Sequence, residues 1–264
     1  MENNILVSVL ITTYNCENFI SKTIDSLLSQ TYSNVEIIII EDGSSDRTIE
    51  ILKNYADKSN KIKVYYPGRI GRAKALNFGL SECNGKYVAI NDADDYSLPT
   101  RIELQVNWME NNPEYGLLGT AKWVQDSLGN KWKEKVISKN KDIREFLMKG
   151  QPIQHSSVMF RRTVLLEVNG YNENISFLLD RDIFIRIAKV SKLHQLSEPL
   201  IILNRSNNQY FKNKYIGLDR INLQVKMQFM AINVLGFNPI NYWPVVIKYC
   251  WSIILHYMYK FLRK

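Results

Sequence analysis

The sequence predicts an α/β domain with a mostly parallel central sheet flanked by helices, followed by a C-terminal helical extension. Three observations support this fold class. Short apolar runs alternate along the chain with segments whose apolar residues recur at helical spacing. The runs are continuous, as in strands covered on both faces. Each strand-helix-strand unit is long enough for a right-handed crossover, which makes successive strands parallel.

The first part of the chain contains the most regular alternation. Strands are expected at Leu6 to Thr12, Val35 to Ile40, Ile62 to Tyr66 and Tyr87 to Ile90. Helices are expected at Glu17 to Ser29, after a cap at Asp46, and at Arg72 to Leu80. Ligands of such sheets bind beyond the carboxyl ends of the strands, so we expect the site there.

Past Pro99 the pattern is less regular. Helices are expected at about Thr100 to Asn111, 141–149 and 180–190. Strands are expected at Leu117 to Val124, Ser157 to Phe160 and Leu200 to Leu203, with a hairpin turn at 126–130. There is no internal repeat or low-complexity linker, so we expect one domain as far as residue 205.

The charge of the chain is unevenly distributed. The 264 residues carry a net charge of +8 and are 45% hydrophobic. From Arg205 onward there are nine Lys or Arg residues and one Asp, whereas residues 1–204 hold 25 basic and 25 acidic residues. The basicity therefore belongs to the last sixty residues or so, which argues against a uniformly basic nucleic-acid binder.

Several protein classes are disfavoured by the motifs that are missing. No Gly-x-Gly-x-x-Gly follows the first strand and no Gly-Lys-Ser or Gly-Lys-Thr occurs, which argues against dinucleotide-binding and P-loop enzymes. The three histidines form no His-x-x-x-His pair, which argues against a zinc hydrolase. The three scattered cysteines and the absence of a signal-like start favour a cytoplasmic protein.

Polar residues follow the first two predicted strands. The first strand leads into Thr12-Thr13-Tyr14-Asn15 and the second into Glu41-Asp42-Gly43. A carboxylate at such a position can accept a hydrogen bond from a base N–H, and a tyrosine can lie against a heterocycle. This pattern indicates a nucleotide at the strand ends.

The fourth strand ends in Asn91-Asp92-Ala93-Asp94-Asp95. Its carboxylates repel one another, and a divalent cation with oxygen ligands, Mg²⁺ or Mn²⁺, is the simplest compensation. Held on a diphosphate, such a cation offsets the charge of a departing nucleoside diphosphate. The alternative is a solvated acidic turn that caps the following helix.

Four segments resemble a known family when they are taken in order. Ser8-Val-Leu-Ile-Thr-Thr-Tyr-Asn, Glu41-Asp-Gly-Ser-Ser-Asp, Gly71-Arg-Ala-Lys-Ala-Leu-Asn and Asp92-Ala-Asp-Asp are similar to the nucleotide-sugar half of the family 2 glycosyltransferases, which have the GT-A fold. The resemblance covers roughly residues 5–205. It implies a nucleotide-sugar half at about 1–100 and an acceptor half at about 101–205.

The resemblance also implies roles for individual residues. Thr12, Tyr14 and Asp42 would hold the uridine of a UDP-sugar, with Asp42 on the uracil imide. Arg72 would lie near the base or the diphosphate, and Asp92 would face the ribose. The metal ligand of the D-x-D motif would be Asp94, with Asp95 as a further carboxylate; the cation would be Mn²⁺ or Mg²⁺.

The second half adds a candidate base. His155-Ser-Ser-Val-Met-Phe-Arg-Arg is similar to the family segment that follows the acceptor-side loop. Leu179-Asp180-Arg181-Asp182 resembles a family motif in which the residue at Asp180 is the catalytic base. An inverting transferase needs such a carboxylate to take the proton of the acceptor hydroxyl. Leu179 replaces a common Glu, so Asp182 stays an alternative base, although it is also spaced for an ion pair with Arg186.

Beyond the last strand, two further expectations concern the site and its surroundings. Arg205 would meet the diphosphate when a polar loop closes, or else be a solvated loop arginine. Residues 206–264 are expected to form two helical stretches, separated at 236–239. The second stretch has a mostly aromatic and apolar surface with one polar stripe. The stripe consists of Lys248, Ser252, His256 and Lys260.

This pattern favours residues 240–264 as a helix in the interface of an anionic membrane, and packing on the enzyme or on another subunit is the alternative. The acceptor would then be a saccharide, polyprenyl-diphosphate-linked, at the inner membrane surface. The predicted protein is a peripheral, metal-dependent, inverting glycosyltransferase of surface polysaccharide biosynthesis with no nucleic-acid partner. A non-catalytic nucleotide-sugar binding module and a nucleotidyltransferase are the rival functions.

Overall fold

A computed structural model describes residues 5–134, 136–138, 140–205, 218–238, 240 and 243–262. The strands are β1 Val7–Thr13, β2 Val35–Glu41, β3 Ile62–Tyr65, β4 Tyr87–Ile90, β5 Tyr96–Ser97, β6 Tyr115–Asp126, β7 Lys131–Lys133, β8 Met159–Arg161 and β9 Lys192–Arg205. The helices are α1 Ile20–Leu28, α2 Thr48–Lys58, α3 Arg72–Glu82, α4 Arg101–Asn111, α5 Asn140–Leu147, α6 Arg162–Glu167, α7 Leu179–Val190, α8 Leu218–Leu235 and α9 Trp243–Leu262. A short 3-10 helix spans His155–Ser157. The predicted α/β class is confirmed.

The strands form one sheet in the order β3-β2-β1-β4-β8-β6-β9-β5, and β7 pairs with β6. The strands β1 to β4 pair in parallel, as their crossover helices require. The second half is mixed, because β8 runs antiparallel to both β4 and β6 while β9 runs parallel to β6. Through β8, the second half of the chain is joined to the edge of the parallel half.

The hydrophobic core has two layers, one on each face of the sheet. Along β2, Ile37 and Ile39 belong to the layer under α1 and α4, and Ile38 and Ile40 belong to the layer under α3 and α7. All seven residues of β2 are buried. Its continuous apolar run is therefore explained by burial on both faces.

Two strands differ most from the prediction. The strand β9 begins at Lys192, whereas the sequence predicted Leu200 to Leu203 alone. Its first half is polar, and alternate residues are buried where it lies beside β6. The strand β5 has only two residues and was not predicted, because a segment this short has no period to detect.

A buried arginine holds the end of β4 to its neighbours. Arg101 is fully buried and donates to Asn91 Oδ1 at 3.0 Å, to Ser97 Oγ at 2.9 Å and to the Ile90 carbonyl at 2.8 Å. It also donates to the Val158 carbonyl, just before β8. Burial lowers the pKa of Arg101 to about 9, although the nearby carboxylates oppose this shift. Arg101 thus ties α4, β4 and the segment that enters β8 into one rigid unit.

The two C-terminal helices have different surroundings. Helix α8 buries Ala231, Ile232 and Leu235 in the same core layer as α7. Helix α9 contacts α8 and exposes a row of large apolar side chains, which includes Trp243, Ile247, Trp251, Ile254 and Met258. The side chains of the predicted polar stripe, Lys248, Ser252, His256 and Lys260, lie outside those that the structure describes, as do residues 206–217. Of the described helices, none has the length and apolarity to span a bilayer.

Replacing Arg101 with Leu is expected to lower the free energy of unfolding by about 3 kcal/mol or more, because it leaves several buried acceptors without a donor. Urea unfolding measures the change. The control is Arg47→Leu, since Arg47 is 74% exposed in a surface ion pair with Glu50, and it should shift stability by less than about 0.5 kcal/mol. Equal losses in the two variants would contradict the role given to Arg101.

Candidate active site

The candidate site lies at the carboxyl ends of β1, β2 and β4. The register of β1 and β2 sets Thr13 beside Glu41, and the Asp42 N–H donates to the Thr13 carbonyl at 2.9 Å. The Asn91 N–H extends the ladder from β4 to the Leu10 carbonyl. Three of the predicted segments therefore meet at one edge of the sheet, as expected for a parallel α/β domain.

Asp42 lies at the centre of a small cluster beside Tyr14. Its Oδ1 accepts from the Ile70 N–H at 2.7 Å and from the Gly71 N–H at 2.9 Å, and its Oδ2 forms an ion pair with Arg69. The Arg69 guanidinium carbon lies 3.5 Å from the centre of the Tyr14 ring, in stacking contact. Tyr14 and Asp42 are thus brought together as predicted, and Arg69 covers them both.

Arg69 was missed by the sequence analysis. Its place is set by two loops that pass close to each other in the structure. Gly43 has φ +76°, and a Cβ there would come within 3.0 Å of the Arg69 backbone, so only glycine fits. Thr12 is half-buried at the same edge.

A series of hydrogen-bonded side chains begins at Asp92. The Arg72 Nη2 donates to Asp92 Oδ1 at 2.5 Å and lies 3.4 Å from His155 Nδ1, and His155 Nε2 lies 2.7 Å from the Tyr171 hydroxyl. Burial opposes ionisation of Asp92, but the charge of Arg72 and the hydrogen bond that it donates outweigh burial and hold the pKa of this carboxyl well below its ordinary value. Arg72 therefore contacts Asp92 rather than the Asp42 cluster, and Tyr171 is a site residue that the sequence analysis missed.

Asp95 is enclosed by structural partners. It is buried, accepts a short hydrogen bond from the Ser156 hydroxyl and accepts another from the Asn204 N–H at 3.1 Å. Burial, together with the neighbouring carboxylates, raises the pKa of Asp95 well above its ordinary value. In this arrangement Asp95 joins the end of β4 to the 3-10 helix and to β9.

Asp94 differs from the other two carboxylates. Burial and the charge of Asp92 raise its pKa to about 6. No hydrogen bond or ion pair with another described residue is found for its carboxylate. Asp94 therefore presents a half-buried, uncompensated carboxylate at the carboxyl ends of β1, β2 and β4, a region called the cleft.

The chemistry of Asp94 fits a hard divalent cation, because an ionised, weakly partnered carboxylate is a ligand that such ions prefer. Among the described residues, no group of three His, Cys, Asp or Glu side chains is assembled to hold a metal ion. A cation at Asp94 would therefore need further oxygen ligands from a bound substrate or from water.

Helix α7 contributes the candidate base. Asp180 lies in its first turn, is half-buried and accepts from the Arg181 N–H at 2.9 Å. Its charge acts on Arg72 and on Tyr171, so Asp180 lies near the hydrogen-bonded series of Asp92, Arg72, His155 and Tyr171. Asp182, the alternative base, is instead buried in an ion pair with Arg186. Of the two candidates, Asp180 is thus half-buried without an ion-pair partner among the described residues, whereas Asp182 is buried and paired.

Arg205 lies apart from these carboxylates. Its Nη2 is 2.9 Å from Glu134 Oε1, and its guanidinium lies over the Trp132 ring. Glu134 also pairs with Lys122. A contact between Arg205 and a diphosphate would require it to leave Glu134, and it stays a prediction.

Comparisons with known proteins agree with the geometry. Residues 8–168 match the family described as Glycosyl transferase family 2. The amylovoran biosynthesis glycosyltransferase AmsE of Erwinia amylovora is 28% identical over 238 residues, which cover 88% of each chain.

Two solved structures show the same fold. TarS 1-349 of S. aureus in complex with UDP-GlcNAc has a TM-score of 0.69 at 18% identity, over 87% of this chain and 70% of that one. The present chain spans 42% of a longer TarS chain. Mannosyltransferase PcManGT from Pyrobaculum calidifontis, in complex with GDP-Man and Mn²⁺, has a TM-score of 0.59 at 15% identity, over 94% of this chain and 75% of that one. These likenesses confirm the predicted GT-A type of fold.

Replacing Asp94 with Asn is expected to stabilise the metal-free protein by up to about 3 kcal/mol at pH 7.5, because the pKa of Asp94 is raised to about 6 and its ionised form is disfavoured in the fold. A raised carboxyl pKa lowers the stability of the fold at pH values above that pKa, where the carboxyl is ionised. The difference in unfolding free energy between the variant and wild type should therefore shrink as the pH falls from 6 to 4. Urea unfolding in EDTA at pH 7.5 and at pH 4 measures this. The exposed Asp57→Asn is the control, and an Asp94→Asn variant no more stable than wild type at pH 7.5 would contradict the account.

Proposed function

Since the chain belongs to glycosyl transferase family 2, we propose that it transfers a sugar from a UDP-sugar to a hydroxyl of a saccharide acceptor, with inversion at the anomeric carbon. One observation carries the proposal. The half-buried carboxylates of Asp94 and Asp180 both act electrostatically on Arg72, so both lie near one guanidinium, which is bound to Asp92. A donor diphosphate and an acceptor hydroxyl need two such groups at a short distance from each other.

The uridine is proposed to bind at Thr12, Tyr14 and Asp42, and the UDP-GlcNAc complex of TarS, which has this fold, supports a uridine donor. Because Arg69 stacks on Tyr14 and pairs with Asp42 Oδ2, a base entering here must share these partners with Arg69. The imide N–H of uracil would take an acceptor position on Asp42 Oδ2. Oδ1 is already used by the backbone of the 70–71 loop.

Asp94 is proposed to hold Mn²⁺ or Mg²⁺ together with the donor diphosphate, and the Mn²⁺ complex of PcManGT is consistent with this. When bound, the cation would neutralise charge on the diphosphate. Asp92 would remain with Arg72 and face the ribose, while Asp95 would keep the loop in place through Ser156 and Asn204.

Asp180 is proposed as the base. Its carboxylate takes the proton of the acceptor hydroxyl, while the hydroxyl oxygen forms a bond to the anomeric carbon on the face opposite the diphosphate. The bond from that carbon to the diphosphate oxygen breaks, and UDP leaves with the electron pair. An α-linked donor therefore gives a β-linked product. Asp182 is unsuited to this step because Arg186 already binds its carboxylate.

The acceptor is proposed to be a saccharide of polysaccharide biosynthesis, carried on a polyprenyl diphosphate. The name of AmsE, an amylovoran biosynthesis enzyme, supports the pathway class. We regard residues 1–205 as the catalytic domain and 206–264 as a tail that brings it to the inner membrane surface, on the cytoplasmic face.

The exposed row of α9 supports the membrane role. Trp243, Ile247, Trp251, Ile254 and Met258 are three or four residues apart, which sets them on one helix face, and each is between 41% and 63% exposed. The surrounding sequence from Arg205 onward is strongly basic. An apolar, Trp-containing face on a basic segment is complementary to the interface of an anionic bilayer.

The transferase is tested by UDP release from a panel of UDP-sugars, with water as acceptor and with or without Mn²⁺. Asp180→Asn is expected to lower the rate at least 100-fold and to leave UDP affinity within about twofold of wild type, because only the base is lost. In the same assay, Asp94→Ala should abolish the Mn²⁺-dependent part of UDP binding.

The outcomes separate the candidate functions. Wild-type protein that binds UDP-sugars but releases no UDP would be a non-catalytic binding module. An Asp180→Asn variant that keeps the wild-type rate would contradict the assignment of the base.

The membrane role predicts that wild-type protein sediments with vesicles of phosphatidylglycerol and phosphatidylcholine, and much less with phosphatidylcholine alone. The double variant Trp251→Glu and Ile254→Glu should bind the anionic vesicles at least tenfold more weakly, because it sets charges on the apolar face. The control Leu128→Glu changes a residue that is 85% exposed in the β6–β7 turn. If the double variant bound vesicles normally but changed from dimer to monomer, the face would be an interface between copies instead.

A further inference from the structure

The buried pair of His155 and Tyr171 has a defined hydrogen-bond direction. Both side chains are almost fully buried, and the rings meet edge to face with centroids 5.7 Å apart. The Tyr171 backbone is fixed as well, because its N–H donates to Asn77 Oδ1 at 2.7 Å and its carbonyl accepts from Asn77 Nδ2 at 2.8 Å. The phenol therefore has little freedom to move.

The direction of the hydrogen bond between His155 and Tyr171 follows from Arg72, which contacts the other nitrogen of the imidazole. A guanidinium can only donate, so at 3.4 Å from Arg72 Nη2 the His155 Nδ1 must accept. The nearest Asp92 oxygen is 3.8 Å from Nδ1, which is beyond hydrogen-bond distance. We therefore assign the imidazole proton to Nε2, which donates to the Tyr171 oxygen at 2.7 Å.

This assignment leaves the hydrogen of the Tyr171 hydroxyl unused. No described residue accepts a hydrogen bond from it. Burial and the charges of Asp180 and Asp92 raise the pKa of Tyr171, so the phenol keeps its proton at neutral pH. The charges of Asp92 and Asp180 both act on the phenol, and both carboxylates are half-buried, so the phenol lies near two carboxylates that solvent reaches.

A neutral donor near two carboxylates suits one kind of ligand group. Phosphate oxygens are charged and bind more favourably to Arg72 or to a cation than to a neutral phenol. A sugar hydroxyl is neutral, and it both accepts and donates hydrogen bonds. It can accept from Tyr171 and donate to an adjacent carboxylate at the same time. The position between Asp92, assigned to the ribose side, and Asp180, assigned to the reacting side, is where the transferred sugar would lie.

We propose that the Tyr171 hydroxyl donates a hydrogen bond to a hydroxyl of the transferred sugar, and that His155 orients it through Nε2–H. This inference rests on the proposed function and adds a sugar-binding residue to it. The proposed hydrogen bond is made to the sugar of the donor and not to its nucleotide. UDP lacks the transferred sugar, so UDP alone leaves this hydrogen bond unmade.

The test compares UDP with the UDP-sugar that wild-type protein hydrolyses fastest in the panel described above. Calorimetry with Mn²⁺ present is expected to show that Tyr171→Phe weakens UDP-sugar binding about 5- to 30-fold, while UDP binding stays within twofold. A purely structural role would weaken both ligands alike. His155→Ala should weaken the UDP-sugar selectively too, and His155→Gln, which retains an N–H donor, should recover part of the loss.

A matched control comes from a second buried phenol. Tyr32 is 1% exposed and donates to the Ile5 carbonyl at 2.6 Å, far along the chain from the cleft residues. Tyr32→Phe should change neither affinity, even if it lowers stability.

Three results are distinguishable. Equal effects of Tyr171→Phe on UDP and on the UDP-sugar, or no effect on either, would overturn the inference and leave the proposed function intact. A wild-type protein that hydrolyses no UDP-sugar would overturn the proposed function, and the inference with it.

Discussion

Three carboxylates at the end of one buried strand must be kept within a few ångströms of one another, and the architecture of the site follows from how each is compensated. Asp92 is paired with Arg72, which outweighs the cost of its burial. Asp95 is enclosed by Ser156 and the Asn204 N–H. Asp94 is left with a raised pKa and open to the cleft. A site that binds a cation only together with its substrate needs one carboxylate that protein groups do not neutralise. If all three carboxylates were paired with protein groups, none would bind a cation.

The same compensation joins the two halves of the chain. Arg72 comes from α3 in the parallel half, whereas the partners of Asp95 come from the 3-10 helix and β9. Arg101, between them, ties β4 to the segment that enters β8. The proposed donor side and the proposed acceptor side are therefore not separate modules set beside each other. They share the end of β4, so substituting any one of its partners is expected to alter the structure on both sides.

The parallel half and its strand-end motifs were predictable because their signals are local: continuous apolar runs for β1 and β2, and Asp92, Asp94 and Asp95 in one short segment. Asp180 came from a motif, and the structure shows its alternative, Asp182, buried in an ion pair with Arg186. Arg69, Arg101 and Tyr171 were not predictable. Each acts through partners far away in sequence, and an isolated Arg or Tyr has no pattern of its own. The polar first half of β9 was missed because its place in the sheet is set by pairing with β6, and its own sequence gives no sign of it.

The central claim is that Asp94 alone among the three carboxylates is free to bind a cation. Anomalous scattering from crystals grown with UDP and Mn²⁺ tests it most directly. The account predicts one manganese peak within bonding distance of an Asp94 oxygen and of the diphosphate, with Asp95 still bound to Ser156 and Asn204. A manganese ion bound by Asp95, or UDP bound at Asp42 with no manganese at Asp94, would contradict it.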